Sequence, residues 1–233
     1  MCPKRLLKLN TIKDISEIRF YLSGLKAVVF DLDDTLYSEK DYVKSGFRAI
    51  SDILPHVKNA EERLWNFFEE KKTAINELLY EENIYSKELE MLCLETYRTH
   101  TPTIRLYENA YETLIHLKES HFFIGMITDG RPNGQKAKIK ALNLEQFFDE
   151  IIITDELGGI QYRKPSPLAF KLMKERLSKK SSHNLSYNEM CYIGDNLKKD
   201  FIAPELLGME AIYFDNPDGI YYNTNKAIVQ QDI

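Results

Sequence analysis

The segment that most constrains the fold of this chain is an apolar run that ends in three carboxylates. The run covers residues 27–30, directly after Lys26, and an Asp-Leu-Asp-Asp-Thr sequence follows it from Asp31 to Thr35. An unbroken apolar run of this length is typical of a strand that helices bury on both faces. Side chains alternate along an extended backbone, so Asp31 and Asp33 can point to the same side while Leu32 points inward.

Two carboxylates held this close together repel each other unless a cation or a shared proton stabilises them. In an open α/β sheet, ligands bind beyond the carboxyl ends of the strands, which is where Asp31 and Asp33 would lie. The first hypothesis is therefore a metal-assisted site. The alternative is a solvated acidic turn, because Asp is a common turn residue.

The composition is that of an ordinary soluble globular protein. At 233 residues the chain is long enough for a substantial core in one or two domains, and its formal net charge is -5. This charge gives no support to non-specific nucleic-acid binding, so we expect no nucleic-acid partner. An anionic substrate is still compatible, because a divalent cation and a few local lysines reverse the sign inside a cleft.

The cysteine pattern and the apolar stretches of the sequence indicate in which cellular compartment the protein is expected. The cysteines Cys2, Cys93 and Cys191 are far apart and odd in number, which predicts neither a disulfide framework nor a metal-ligand cluster. No stretch approaches the roughly 18 consecutive apolar residues of a membrane span, and the N-terminus lacks the pattern of a secretory signal. We therefore expect a cytoplasmic protein that does not bind membranes.

Residues 1–25 precede the first predicted strand and form an N-terminal extension of unknown purpose. Apolar residues recur there at helical spacing, which predicts a short amphipathic helix that packs on the body of the protein. These residues are Ile12, Ile15, Ile18 and Leu22. An interfacial membrane helix is the alternative, although Asp14 and Glu17 dilute its basic face.

Three helical patterns follow the acidic segment, with no strand among them. The first covers residues 43–54, the second residues 64–79 and the third residues 89–96. They predict an all-helical insert at about residues 41–103. The apolar stripes of these helices indicate the core of a small bundle rather than a cofactor site.

Predicted strands and helices alternate from residue 105 onward. The strands cover residues 121–127, 150–154, 190–194 and 210–214, and the helices cover residues 107–120, 132–142 and 166–178, with a further helix ending at 207. Repeated strand–helix units imply a parallel sheet with helices on both faces. The predicted fold class is therefore α/β, with a doubly wound, Rossmann-like core at residues 1–40 and 104–233.

Polar residues at the ends of these strands would converge at one edge of the sheet. The residues concerned are Asp31, Asp33, Thr128, Lys164, Asp195 and Asp200. A carboxylate pair, a hydroxyl, an ammonium and further acids are the groups that a phosphoryl-transfer site requires.

The order and spacing of these residues resemble the four motifs of the haloacid dehalogenase superfamily, in its branch of phosphatases with a helical cap. The motifs are Asp31-Leu-Asp33-Asp-Thr35, Thr128, Lys164-Pro165 and Gly194-Asp195-Asn-Leu-Lys-Lys-Asp200. The resemblance extends from about residue 26 to residue 215, and the insert at 41–103 occupies the position of that family's smaller, C1-type cap. Any single motif is weak, whereas four in this order on suitable predicted elements form a specific pattern.

The resemblance implies a role for each motif residue. Asp31 would be the nucleophile that forms an aspartyl-phosphate, which suits a group that is ionised at pH 7. Asp33 would be the general acid and then the general base. Lys164 would neutralise charge on the phosphoryl group and keep Asp31 ionised. The implied substrate-binding residues are Thr128, Asp129, Gly130 and Lys164.

The resemblance also implies a Mg²⁺ cofactor. Asp31, the backbone carbonyl of Asp33 and Asp195 would bind the ion, and phosphate and water would complete six oxygens at roughly 2.0–2.1 Å. Asp200 and Asn196 would lie outside the ligands, where Asp200 would orient Lys164 or a metal-bound water.

The second acid narrows the implied reaction. Dehalogenases of this superfamily lack an acid two residues after the nucleophile, and phosphonate-cleaving members usually carry a small residue there, so Asp33 favours phosphate esters. The predicted function is a Mg²⁺-dependent phosphomonoester hydrolase acting on a small phosphorylated metabolite, such as a sugar phosphate or a nucleotide. The rivals are a sugar phosphomutase, whose cap excludes water from the same acids, and a non-catalytic binding module. The oligomeric state is open.

Substrate specificity would come from residues of the insert that face the cleft. The candidates are Tyr37, Lys40, Lys44 and Arg48. Asp34 is interpreted as a local turn acid. Three residues beside the motifs could either contact substrate or be solvated, namely Arg131, Asn133 and Arg163.

Overall fold

The computed structural model describes residues 9–181 and 184–231. Its core is a six-stranded sheet in the order β1-β6-β5-β2-β3-β4, and every pairing between neighbouring strands is parallel. The strands are β1 (Asn10–Ile12), β2 (Ala27–Phe30), β3 (Phe123–Thr128), β4 (Glu150–Ile153), β5 (Met190–Gly194) and β6 (Glu210–Phe214). Cys2, one of the cysteines of the sequence analysis, lies outside the described residues.

The strand order reverses at β2, which determines where a ligand site can form. From β2 the chain continues to β3 on one side, and it later returns to the other side as β5. The connections diverge at this point and leave a crevice beyond the carboxyl ends of β2, β3 and β5. The first acidic motif lies directly at this switch point.

Helices cover both faces of the sheet, and the alternating side chains of β2 mark the two layers. Val28 and Phe30 pack in a cluster with α5 (Ala110–Glu119) and α6 (Pro132–Ala141). Ala27 and Val29 pack on the other face with α7 (Leu168–Lys180) and with α8 (Ile202–Leu207). A short C-terminal helix, α9 (Tyr222–Gln231), completes the chain. The predicted doubly wound α/β fold is therefore confirmed.

The insert consists of four helices rather than the three that the sequence predicted. They are α1 (Glu39–Ile53), α2 (Ala60–Glu69), α3 (Ala74–Glu81) and α4 (Lys87–Thr99), and they share an apolar core of their own. The predicted helix over residues 64–79 is wrong because Lys71 adopts a left-handed conformation, with φ 60°. The amides of Lys71 and Lys72 bond back to Phe68 and Phe67, which ends α2 as a left-handed C-terminal cap.

The N-terminal extension differs from the predicted amphipathic helix. Ile12 belongs to the edge strand β1, and a 3₁₀ helix follows at Ile15–Tyr21, with Ile15 and Ile18 buried. The side chain of Asp14 separates the two elements, because it accepts a hydrogen bond from the Ser16 amide at 2.8 Å and caps the helix. Among the described residues of the extension, the helical part is therefore the segment after Asp14.

Two helices begin later than predicted. The segment at 107–109 is not helical, because the Tyr107 amide donates to the Leu36 carbonyl at 2.9 Å and so joins the two connections between insert and core. Ser166 and Pro167 precede α7, and the Ser166 hydroxyl accepts a hydrogen bond from the Leu168 amide at 3.4 Å. Within the part of the chain that the structure describes, no helix has the length and apolar character needed to cross a membrane.

Candidate active site

Asp31 lies at the carboxyl end of the central strand. Its amide donates to the carbonyl of Ile193 in β5 at 2.8 Å, which extends the strand pairing by one residue. The chain then turns, because the amides of Thr35 and Leu36 both bond back to the carbonyl of Leu32. This turn directs the Asp31 carboxylate into the crevice and buries it to 3% exposure.

Lys164 reaches Asp31 from the loop before α7. Its Nζ atom lies 2.8 Å from Asp31 Oδ1, 2.8 Å from Asp200 Oδ1 and 2.8 Å from the hydroxyl of Tyr192. The ammonium is fully buried, and its three N–H groups are matched in number by these three oxygens. Burial lowers the pKa of Lys164, but the charges of Asp200 and Asp31 outweigh this effect and raise it overall.

Asp129 organises the loops on the other side of Lys164. Its Oδ1 atom accepts hydrogen bonds from the Lys164 amide at 3.1 Å and from the Thr154 hydroxyl at 2.9 Å. Its Oδ2 atom lies 3.2 Å from Nζ of Lys199. The Asp129 carboxylate, which belongs to the predicted substrate-binding set, is therefore engaged by three protein groups that hold neighbouring loops together.

Three buried carboxylates converge at the crevice. Oxygens of Asp31, Asp195 and Asp200 lie within 4.8 Å of one another. Burial and the charges of Asp200 and Asp31 raise the pKa of Asp195 well above its usual range. Burial also raises the pKa of Asp31 to about 6, although the charge of Lys164 opposes this.

This cluster fits a hard divalent cation. Mg²⁺ prefers carboxylate and carbonyl oxygens, and the repulsion among the three acids is the electrostatic condition that such an ion relieves. The surrounding amides orient the acids: the Asn196 amide donates to Asp200 Oδ2 at 2.8 Å, and Asn225 Nδ2 donates to the Asp195 carbonyl at 2.7 Å. Asp31 and Asp195 are therefore suitable ligands, with Asp200 held beside them by Asn196 and Lys164.

Asp33 lies at the start of the same turn and is held by donors from α6. Nζ of Lys138 is 2.7 Å from its Oδ1 atom, and Nε2 of Gln135 donates to Oδ2 at 2.8 Å. The hydroxyl of Tyr37 donates to Oδ1 as well. Burial raises the pKa of Asp33, but the charge of Lys138 and these hydrogen bonds outweigh it and lower the pKa overall. Gln135 also donates to Oγ1 of Thr128 at 2.6 Å and so links two motifs.

Sequence reasoning missed three residues of this site, namely Gln135, Lys138 and Lys199. Gln135 and Lys138 share the inward face of α6 with Ile139, and the sequence carries no signal for them because their burial appears only once α6 packs on the core. Lys199 stands directly before Asp200 in the fourth motif, but the motif residues to which a role was assigned do not include it.

Asp34 has a structural role, in agreement with its interpretation as a turn acid. One carboxylate oxygen accepts from the Glu39 amide at 2.8 Å at the start of α1, and the other accepts from the Ile220 amide at 2.7 Å. Asn216 donates to the Asp34 carbonyl at 2.8 Å. These contacts join the acidic turn to the insert and to the C-terminal loop, and burial raises the pKa of Asp34 to about 6.

The candidates for substrate specificity occupy different environments. Lys40 and Lys44 line a cavity of about 840 Å³ between insert and core, where the Lys44 ammonium lies 4.4 Å from the centre of the Trp65 ring. Tyr37 is fully buried beneath Asp33. Arg48 pairs with Glu61 on the surface of the insert and does not line this cavity.

The three residues beside the motifs also have different surroundings. Arg163 forms a two-point ion pair with Asp155, with both distances 2.7 Å. Arg131 and Asn133 line a second cavity, of about 550 Å³, together with Gln135. Arg131 and Asn133 are therefore near the site, whereas the guanidinium of Arg163 is already paired.

Comparison with known proteins decides the family. Residues 28–214 match the family model described as haloacid dehalogenase-like hydrolase. The chain belongs to the haloacid dehalogenase-like hydrolase family. The match spans the first motif, the insert and the fourth motif, so it includes the residues on which the sequence-based resemblance depended.

Relatives of this hydrolase include enzymes with assigned phosphatase activities. It is 28% identical over 203 residues to glyceraldehyde 3-phosphate phosphatase of Methanocaldococcus jannaschii, covering 79% of this chain and 82% of that protein. It is 29% identical over 211 residues to the enzyme of the same name from Pyrococcus furiosus, covering 82% of this chain and 80% of that protein. The predicted superfamily and enzyme class, a hydrolase of the phosphatase type, are confirmed.

A solved structure supports the fold. The putative HAD-hydrolase YfnB from Bacillus subtilis, determined with bound magnesium, superposes with a TM-score of 0.55 at 21% identity, covering 81% of this chain and 86% of that chain. At this level of identity the likeness bears on the fold alone.

Proposed function

We propose that the protein is a Mg²⁺-dependent phosphomonoester hydrolase that forms an aspartyl-phosphate at Asp31. The observation that carries this proposal is the position of Asp31, which lies 2.8 Å from Lys164 in a buried cluster with Asp195 and Asp200. A nucleophile, a balancing cation and a set of hard oxygen ligands are thus within contact of one another. Asp33, two residues further on, provides a group for proton transfer.

The first half-reaction transfers the phosphoryl group to the protein. A carboxylate oxygen of Asp31 attacks phosphorus, and the bond between phosphorus and the ester oxygen breaks with its electron pair moving to that oxygen. The protonated form of Asp33, which the lowered pKa makes the minor form at neutral pH, gives its proton to the ester oxygen, which leaves as an alcohol. Mg²⁺ bound by Asp31, Asp195 and the Asp33 carbonyl would supply positive charge that balances the phosphoryl oxygens.

The second half-reaction releases phosphate. Asp33 is now a carboxylate, and it takes a proton from a water molecule whose oxygen attacks phosphorus. The bond between phosphorus and Asp31 then breaks, inorganic phosphate leaves, and Asp33 is protonated again. Each group therefore returns to its starting state.

Lys164 and Lys199 have different electrostatic roles in this proposal. Lys164 is already matched by three oxygens at 2.8 Å, so we assign it to keeping Asp31 ionised and Asp200 in place. Lys199 is partly exposed, and it lies among Asp31, Asp200 and Asp129, whose charges raise its pKa against the effects of burial and of Lys164. Lys199 is therefore the better cation to bind a phosphoryl oxygen, beside Thr128 as a hydrogen-bond donor.

The insert, taken as a cap domain over residues 41–103, would open for substrate and close for chemistry. Its two connections to the core meet at the hydrogen bond from Tyr107 to Leu36, which makes this pair of connecting segments the natural hinge. A cap over the crevice favours a small phosphorylated metabolite. The names of the curated relatives make glyceraldehyde 3-phosphate the first compound to test.

The proposal is tested with an aryl phosphate, with and without Mg²⁺, on the wild type and on Asp31→Asn. We expect metal-dependent release of phosphate that falls by several orders of magnitude in the variant, because an amide is not a nucleophile toward phosphorus. A variant as active as the wild type would remove Asp31 from the mechanism. A panel of phosphorylated metabolites, glyceraldehyde 3-phosphate included, then identifies the substrate, and an isomer in place of free phosphate would indicate a phosphomutase.

A further inference from the structure

The two carboxylate oxygens of Asp33 have different surroundings. Oδ1 lies 2.7 Å from the ammonium of Lys138 and accepts the hydroxyl of Tyr37. Oδ2 accepts the amide of Gln135 at 2.8 Å. One oxygen is thus held by a full positive charge and a phenol, and the other by a neutral amide.

The burial of Lys138 indicates that its pairing with Asp33 has a role other than stabilising the core. The side chain of Lys138 is 6% exposed, and withdrawing an ammonium from water is unfavourable unless its partners compensate. An apolar residue beside Ile139 would pack α6 on the core without that cost. A lysine at this position is therefore better explained by what it does to Asp33 than by the stability of the core.

The insert contributes to the same arrangement. The Lys138 ammonium lies 4.3 Å from the centre of the Tyr42 ring, within the range of a cation–π interaction. Tyr42 belongs to α1 of the insert and Lys138 to α6 of the core. The position of the ammonium therefore depends on how the insert packs on the core.

We propose that Lys138 is a positioning residue that, together with Tyr37, fixes Oδ1 of Asp33 and leaves Oδ2 as the oxygen that exchanges the proton. This inference rests on the proposed function, in which Asp33 is the general acid and base. Two donors directed at Oδ1 disfavour a proton on that atom, so the proton of the neutral carboxyl group resides on Oδ2. That proton passes from Oδ2 to the ester oxygen as its bond to phosphorus breaks, and the attacking water later returns a proton to the same atom.

Gln135 is compatible with this exchange. Its Nε2 group also lies 2.6 Å from Oγ1 of Thr128, so the amide keeps a partner when Oδ2 carries a proton. Lys138 and Tyr37 have no need to move, since Oδ1 accepts their hydrogen bonds in both protonation states of Asp33.

The test is the dependence of kcat/KM on the leaving group in Lys138→Met. An alkyl phosphate such as glycerol phosphate needs protonation of its leaving oxygen, whereas p-nitrophenyl phosphate releases a stable phenolate without it. We expect kcat/KM to fall about 100-fold or more for the alkyl phosphate and less than about tenfold for the aryl phosphate, in line with the usual contribution of general acids. Since kcat/KM covers only the steps up to release of the leaving group, the later use of Asp33 as a base does not enter.

Lys140→Met is the matched control, because Lys140 lies on the same helix and is exposed; it should leave both substrates unaffected. Tyr37→Phe keeps the ring and removes the second donor to Oδ1, so it should give a smaller loss with the same preference for the alkyl phosphate. If Lys138→Met does not fold, Tyr37→Phe alone tests whether the donors to Oδ1 position Asp33. Equal losses on both substrates, or no loss in a folded variant, would overturn the positioning role, whereas a wild type inactive on both would instead reject the proposed function.

Discussion

The ammonium of Lys199 lies 3.2 Å from Oδ2 of Asp129, and this pair joins the loop after β5 to the loop after β3. The Lys199 side chain is 28% exposed, whereas that of Lys164 has no exposed surface. Of the two lysines at the crevice, Lys199 is therefore the one with an open approach for a ligand. It is also the one whose present contact is longer than a typical charge-assisted hydrogen bond.

Replacing Lys199 by methionine should weaken substrate binding. We expect KM for a phosphate ester to rise about 10- to 100-fold, because a hydrogen bond from a charged group contributes about 1.5–3 kcal/mol. Inhibition by inorganic phosphate should weaken by a similar factor. Lys198→Met is the matched control, since Lys198 precedes it and is exposed. An unchanged affinity for phosphate would exclude Lys199 as a phosphoryl ligand.

Replacing Tyr192 by phenylalanine removes one of the three partners of Lys164 and leaves the ring contact with Phe170 in place. The hydroxyl and the ammonium are both fully buried, so an unmatched N–H group should cost about 1–3 kcal/mol in the free energy of unfolding. Urea denaturation measures this change. We expect kcat to fall as well, because the ammonium loses one of its fixed anchors. Wild-type stability in the variant would mean that Lys164 is fully held by the two carboxylates.

Replacing Asp195 by asparagine should have opposite effects with and without metal. The metal-free variant should be more stable than the wild type, because one of three mutually repelling buried carboxylates is removed. The rise in melting temperature that Mg²⁺ gives the wild type should disappear, since a ligand is lost. Thermal unfolding at several Mg²⁺ concentrations tests both statements. A variant that Mg²⁺ still stabilises as much as the wild type would rule out Asp195 as a ligand.

The metal-free protein should also lose stability as the pH rises. The pKa of Asp31 is raised by burial from its ordinary value of 3.8 to about 6, and burial also raises the pKa of Asp195 well above its ordinary value. The folded protein therefore binds these protons more tightly than the unfolded chain does, so their contribution is present below pH 4 and is lost as the pH rises through 6. Unfolding in EDTA across this range should show the decline. Saturating Mg²⁺ should reduce the decline but not abolish it, because the ion stabilises the carboxylates of Asp31 and Asp195, whereas Asp34, whose pKa is also raised to about 6, is not a ligand.

The strand-end residues could be predicted because their signals are local and repeated. Each of Asp31, Thr128 and Asp195 ends an apolar run, and a parallel sheet brings such ends to one edge whatever the details of packing. Lys164 was found through its motif and the helix that follows. Four independent local patterns thus determine one crevice.

The residues around these groups could not be predicted in the same way. Lys138 and Gln135 reach Asp33 from more than a hundred positions away, and their relevance depends on the angle at which α6 crosses the sheet edge. Lys71 is the one polar residue in the apolar spacing of residues 64–79, and since that spacing resumes after it, the pattern of one long helix fits two short ones equally well. The edge strand β1 has only three residues, too few for a period to appear.

Replacing Gly194 by alanine should displace the carboxylate of Asp200 and so disturb the site. A Cβ atom at Gly194 would lie 2.6 Å from Oδ2 of Asp200, the oxygen that accepts the Asn196 amide. The Asp200 carboxylate would have to move, and with it the contact to Lys164, so we expect a loss of about 1–3 kcal/mol in stability, as for other overpacked cores. Activity should fall further than this loss of stability alone accounts for.

Gly134→Ala is the matched control for that variant. Gly134 lies within α6, and a Cβ atom there would meet only the Tyr42 hydroxyl, at an ordinary 3.7 Å. Alanine in a helix is favoured over glycine by about 0.5–1 kcal/mol, so this variant should be equally or more stable than the wild type. Measuring both variants by urea denaturation and by phosphate release separates the specific crowding of Asp200 from any general effect of an added methyl group. Equal behaviour of the two variants would mean that β5 adjusts and that the Asp200 carboxylate does not depend on the missing side chain at Gly194.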